Sequence, residues 1–207
     1  MTNTLTGILL AACAGINAYI PLLGLALADK ISTSVELQKP FDVISSTGGI
    51  VVLLILLTVD LIIDKIPRVD HFNDLINTAL RPAAGMFLVM AVTDGKGEVD
   101  EIVAMLIGLF VAGAVHAWKA LNRVKITQQS SGAANSIVSL VEDTLAVVVT
   151  ILAIALPWVG APVAIGSGFA LAWVNRVMPN SFIGGGAARN ASGAVATEAT
   201  ITAENNE

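Results

Sequence analysis

Few residues of this chain have the chemistry to act, and most of them cluster. In DLIIDKIPRVDHFND, Asp60/Asp64 and Asp70/Asp74 each stand one helical turn apart, and with His71 they offer oxygen and nitrogen donors for a divalent ion. Such a donor set would suit a metal-dependent enzyme acting on lipid phosphates. Asp64, Asp70 and Asp74 read equally as solvated cytoplasmic charges, with Asp70 or Asp74 capping the next helix. The spacing favours this second use. It lacks the glycine-aspartate-arginine pattern expected of lipid-head-group phosphotransferases, so no catalytic residue, metal ligand or cofactor is assigned.

Further on, Arg81 stands directly before Pro82 in a run that is otherwise apolar from Leu75 to Val92. An arginine cannot shed its proton, so at membrane depth it needs a carboxylate or a ligand anion. Asp60, Glu142 and Asp143 are the carboxylates at comparable depth. Pro82 removes one backbone donor and frees the carbonyl near Thr78, which predicts an interrupted span lining a cavity. Two other stretches carry a similar signature. In AGINAYIPLL, Asn17 and Pro21 interrupt an apolar run. In SSGAANSIVSLVED, Ser130, Ser131 and Gly132 are expected to start a helix whose free amides, beside Asn135 and Ser139, suit an anion. His116 is expected to be neutral and bonded to a neighbour. The candidate ligand-binding residues are therefore Arg81, Glu142, Asp143, Asn17, Asn135, Ser131, Asp60 and His116.

What must position these groups is a membrane. The 207 residues are 55% hydrophobic and only 13% charged, and the mean hydropathy of +0.79 exceeds what a water-soluble core needs. The net charge of −5 and the absence of a Lys/Arg run exclude a nucleic-acid partner. The single cysteine, Cys13, cannot form an internal disulfide. LAAC resembles a lipoprotein cleavage box, but no basic region precedes it and the chain stays apolar through Ala28, so Cys13 reads as a small packing residue.

Six apolar stretches follow one another: Leu5–Ala28, Phe41–Ile63, Leu75–Val92, Ile102–Trp118, Ala133–Trp158 and Ala161–Val174. About 20 helical residues cross the hydrocarbon. The first, second and fifth stretches reach that length, and the third, fourth and sixth are short. The expected fold is all-α, a polytopic transmembrane bundle of about six segments over 1–177, followed by a disordered cytoplasmic tail over 178–207. The asparagine of NAS at position 190 lies in that tail, so its glycosylation sequon reads as chance.

With six crossings, Lys65, Arg68, Lys119, Arg123, Lys125, Arg176 and Arg189 share one side, and Lys30, Lys39 and Lys96 take the other. Positive flanks stay inside, so both termini are expected in the cytoplasm and the chain in the inner (cytoplasmic) membrane. At ~1.5 Å per residue, Asp60 lies ~6 Å in, Arg81 ~9 Å and Glu142–Asp143 ~15 Å, all in one half of the membrane. Small residues recur every fourth position at Ala104, Gly108 and Ala112 and at Gly160, Ala164, Gly168 and Ala172, predicting close helix packing or a homo-oligomer seam.

Taken together, AGINAYIPLL, DKIPRVDHFNDLINTALRPAAG and SGAANSIVSLVEDTLAVV resemble the bacterial multi-pass membrane family catalogued as domain of unknown function DUF4126. The resemblance covers about Leu5 to Trp173 and implies an integral membrane protein; it carries over no catalytic residue. Intramembrane charges are costly, about +2.5 to +3.5 kcal/mol each at a helix centre. The expected function is therefore transport or binding of a small anionic or lipid-head-group ligand in a polar cavity open to the cytoplasm. The expected partners are membrane lipids and that ligand. A structural or assembly role, with the charges pairing inside the bundle, is the other alternative.

Overall fold

The computed structural model describes residues 2–31, 35–63, 70–130 and 135–173, with the side chains of 70–75, 123–130 and 135–136 outside the description. The described elements are helical: α1 (Thr2–Ile16), α2 (Tyr19–Ile31), a short 3-10 turn (Phe41–Ser45), α3 (Thr47–Ile63), α4 (Asp70–Thr93), α5 (Glu101–Ser130) and α6 (Asn135–Ala155). A last helix, α7, covers 157–173. The tail 178–207 lies outside the described residues.

Polar side chains set the boundaries. The Ser46 hydroxyl accepts from the Gly49 amide at 2.9 Å and caps α3, while Asp100 accepts from the Ile102 amide at 2.9 Å and caps α5. Between α4 and α5 the chain reverses at Gly95 and Gly97, both at φ +65°, a conformation that costs glycine least. There the Gly95 backbone lies against the Gln38 side chain.

The first apolar stretch does not form the single span expected of it. Helix α6 serves as a ruler for its path. Asp143 bonds Asn17, Thr150 touches the positions of both Cys13 and Gly24, and Ala153 accepts from the Thr6 hydroxyl at 3.0 Å. Cys13 and Gly24 therefore lie at one level, on two arms of a hairpin whose tip is Asn17. Both arms return to the same end of the bundle. Thr4 there meets Glu98, and Lys30 meets the start of α3 at Thr47. The physical cause is local. The backbone is interrupted at Asn17 and Ala18, and the Asn17 carbonyl oxygen Oδ1 takes the amides of Tyr19 and Ile20, so a new helix starts in a new direction. The stretch is thus two short helices, Thr2–Ile16 and Tyr19–Ile31, in place of one long one. The six-crossing count, and the placement of both termini on one side that rested on it, no longer follow from the sequence. The start of α1 lies at the end of the bundle opposite Asn17, Ile63 and Asp70.

Helix lengths depart from the expectation in the second, third and fourth stretches. The third and fourth stretches, expected to be short, lie in the long helices α4 and α5, of 24 and 30 residues. Among the described residues, three helices are long and apolar enough to cross a membrane, through Ile76–Thr93, Glu101–Asn122 and Ile137–Ala155. Helix α3 has 17 residues, because the 3-10 turn takes the start of the second stretch. Nor does Pro82 interrupt its span, since α4 is continuous through it. Its ring packs toward Gly113 of α5, and the neighbouring helix supports the weakened turn.

Helices α1, α4 and α5 form the centre. Leu10, Ala14, Leu88 and Ala112 are fully buried there. A Cβ added at Gly85 would meet the Gly108 backbone, and one at Gly108 would meet the Gly85 backbone, so the two helices touch main chain to main chain. Such contact is what holds helices together where lipid offers no hydrophobic drive. The stripe Ala104, Gly108, Ala112 and His116 is buried along this seam. The stripe on α7 behaves differently: Gly160 is buried, whereas Gly168 and Ala172 are exposed. Helix α3 shows apolar residues nearly all round and buries only Leu53 and Asp60. An exposed face of that kind suits hydrocarbon.

Candidate functional site

The hairpin tip collects the polar residues of the bundle. Asn17 is 1% exposed, and its amide nitrogen donates to Asp60 Oδ2 at 3.0 Å and to Asp143 Oδ1 at 3.2 Å. One NH2 group thus bridges carboxylates from α3 and α6. Asn77 of α4 donates to the other oxygen of Asp60 at 3.4 Å. Because the Asn17 carbonyl oxygen is committed to capping α2, its amide is fixed in orientation. Both ends of this one side chain are used, which explains its place at the break.

Breaking a helix strands carbonyls at the end of the first segment. The Ile16 carbonyl is met by Lys119 Nζ of α5 at 2.7 Å, and the same ammonium lies 3.1 Å from Glu142 Oε2 of α6. Lys119 is 2% exposed. The charge count set Lys119 among the flanking cations, but the structure corrects this: Lys119 is an interior cation tying α1, α5 and α6 together.

Arg81 is 1% exposed, the largest fully buried side chain described. Its NH1 lies 3.2 Å from His116 Nδ1, and His116 Nε2 lies 3.2 Å from the Thr78 hydroxyl. A guanidinium can only donate, so Nδ1 is the acceptor in this pair and Nε2 is left to donate to the Thr78 hydroxyl. Thr78 is the residue whose backbone carbonyl Pro82 leaves without its helical donor, and its side chain steadies the histidine instead.

The structure brings together Asn17, Asp60, Arg81, His116, Glu142 and Asp143 of the predicted residues. All are buried and lie toward the end of the candidate spans marked by Ile63 and Asp70. At ~1.5 Å per residue, Arg81 and Glu142 sit roughly 8 Å inside their spans. Ser131 lies outside the described residues; α6 begins at Asn135, whose side chain also does, and Ser130 ends α5 instead of starting α6. Asp64, Asp70, His71 and Asp74 likewise have no described side chains. Among the described residues no group of three His, Cys, Asp or Glu is placed to hold a metal.

Sequence reasoning missed Lys119, Asn77 and Thr78 as members of the site. The signal was present in the helical period. Lys119 continues the buried line of Ala112 and His116 by one further turn, and Asn77 precedes Arg81, Ala84 and Leu88 on one face of α4.

A family model described as "Domain of unknown function (DUF4126)" matches residues 4–177, and the chain belongs to that family. No curated protein and no solved structure matches it.

Proposed function

We propose that this member of a family with no assigned activity is a multi-pass protein of the inner (cytoplasmic) membrane that binds or transports a small anionic or lipid-head-group ligand at the hairpin tip. In this reading α1 and α2 form a re-entrant hairpin, and the polar layer faces the cytoplasm, where Lys65, Arg68, Arg123 and Lys125 provide the inside charge. The single observation that carries it is Lys119. A buried ammonium shared between a helix-end carbonyl and Glu142 has donors that one proton can release. When Glu142 is neutralised, an anion replaces it against Lys119, with Arg81 and His116 on the adjoining face. Proton uptake and anion binding are then the same event, which keeps the charge of the layer constant and avoids the cost of an uncompensated ion.

The test is a thermal-shift screen of the full chain in detergent with phosphate, sulfate, short carboxylates and glycerophosphate. One of these anions is expected to stabilise the wild type, to stabilise Glu142→Gln more strongly, and to leave Lys119→Gln unchanged. Stabilisation that persists in Lys119→Gln, or no response to any anion in Glu142→Gln, overturns the reading.

A further inference from the structure

Next to the polar layer lies an apolar cleft of about 450 Å3 between α7 and the helices α1, α5 and α6. Its volume falls in the range of small-ligand sites. On the α7 side Ala164, Gly168 and Ala172 line it together with the larger Ile165, Phe169 and Leu171, and the small side chains leave room between them. That stripe therefore has a use other than helix packing. The opposite wall adjoins the polar layer on three helices in turn. Ile16 lines the cleft and precedes Asn17; Trp118 lines it and precedes Lys119; Leu145 and Ala146 line it and follow Asp143. On these helices the cleft starts beside the charged layer and extends roughly one to two turns away from it, to Ala12, Ala114 and Val149.

An apolar space open at membrane depth is filled by hydrocarbon and not by water. The sequence after Met178, rich in glycine, alanine and polar residues, has little with which to fill it. Where the cleft meets the polar layer, the charge next to Trp118 is the Lys119 ammonium, which complements an anionic head. We propose that the cleft holds one acyl chain of an anionic phospholipid whose head group is the ligand of the hairpin tip. This rests on the function proposed above and narrows it, because a free anion would need the layer alone.

Fluorescence quenching tests it directly. The chain has 3 tryptophans, of which Trp158 and Trp173 are exposed and Trp118 lines the cleft. In a Trp158→Phe/Trp173→Phe background, the full chain is reconstituted in phosphatidylcholine vesicles carrying increasing fractions of brominated-chain phosphatidylglycerol or brominated-chain phosphatidylcholine. Quenching of Trp118 is expected to saturate, with phosphatidylglycerol preferred roughly fivefold, about what one lysine contributes at an anionic head. Gly168→Leu, at a position that lines the cleft and where an added Cβ meets no neighbour, is expected to remove the saturable part. Gly166→Leu, equally unobstructed but not lining the cleft, is expected to leave it unchanged. Quenching that rises in proportion to mole fraction with no head-group preference, or that is indifferent to Gly168→Leu, overturns the proposal. So does a Gly168→Cys dimer that forms on oxidation and excludes the quencher. Any of these results with an intact anion response at Lys119 leaves a free anion as the ligand, so the two readings fail separately.

Discussion

The two ends of α1 solve the same problem at different depths. At the outer end, Glu98 accepts from the Thr4 amide at 2.9 Å, the Thr4 hydroxyl at 2.8 Å and the Asn3 side chain at 3.3 Å. A carboxylate meets the positive end of the helix dipole in reach of water. At the inner end, the negative end of the dipole meets Lys119 in a site that water does not reach, and the ammonium must then be balanced by Glu142. The outer cap is one removable residue. The inner one brings in Asn17, Asp60, Asn77 and Asp143, since each buried polar group requires another. A ligand site grows from the second kind of helix end, and the first merely finishes a helix.

Breaking the inner end is expected to cost most. Lys119→Met leaves Glu142 buried beside a stranded carbonyl and should lower stability by about 3–5 kcal/mol in a denaturant titration of the detergent-solubilised protein. Adding Glu142→Leu should recover most of the loss, and a double variant no better than the single one would break the comparison. Forcing the α4–α5 seam apart with Gly108→Leu should cost about 1–3 kcal/mol by overpacking, read in the same titration. Asn17→Ala removes the α2 cap and should cost about 1–2 kcal/mol. Asn17→Asp keeps the cap but sets a third carboxylate against Asp60 and Asp143, and it should be the less stable of the two.

The outer end sets the small end of the scale. Glu98→Gln should cost less than about 1 kcal/mol, because water screens the pair it leaves. Hydrogen bonds from the amino terminus, then from the Thr4 amide and hydroxyl, hold the Glu98 carboxyl down at about 2, against an ordinary 4.5. A depressed acid contributes stability that is present above its unfolded value and lost as pH falls through its folded value. The contribution of Glu98 should therefore fade between about pH 4.5 and 2, and Glu98→Gln should flatten that part of the pH–stability curve.

The sequence revealed the ingredients of the site better than its architecture. Asn17 was legible as a break, since an amide in a leucine-rich run must bond to something. The direction taken after the break was not, because the apolar length from Leu5 to Ala28 suits one straight span and the contacts with Asp60, Asp143 and Thr150 that receive the hairpin are remote in sequence. Pro82 pointed to a break that the packing of α5 makes unnecessary. Lys119 was hidden by Trp118, whose pairing with a lysine is the usual mark of an interface, although its period with Ala112 and His116 placed it inside. That His116 would be bonded to a neighbour was legible, and Arg81 and Thr78 are those neighbours. The third and fourth segments ran longer than their apolar cores because α4 and α5 continue into polar sequence, which hydropathy alone does not register.

The re-entrant hairpin is the claim on which the site, its depth and its ligand all depend. In a Cys13→Ala background, Thr4→Cys and Gln38→Cys bracket it and can be labelled in sealed, oriented vesicles with a membrane-impermeant maleimide. The account predicts that both cysteines react from the same side; labelling from opposite sides would make the first stretch a single crossing and contradict it.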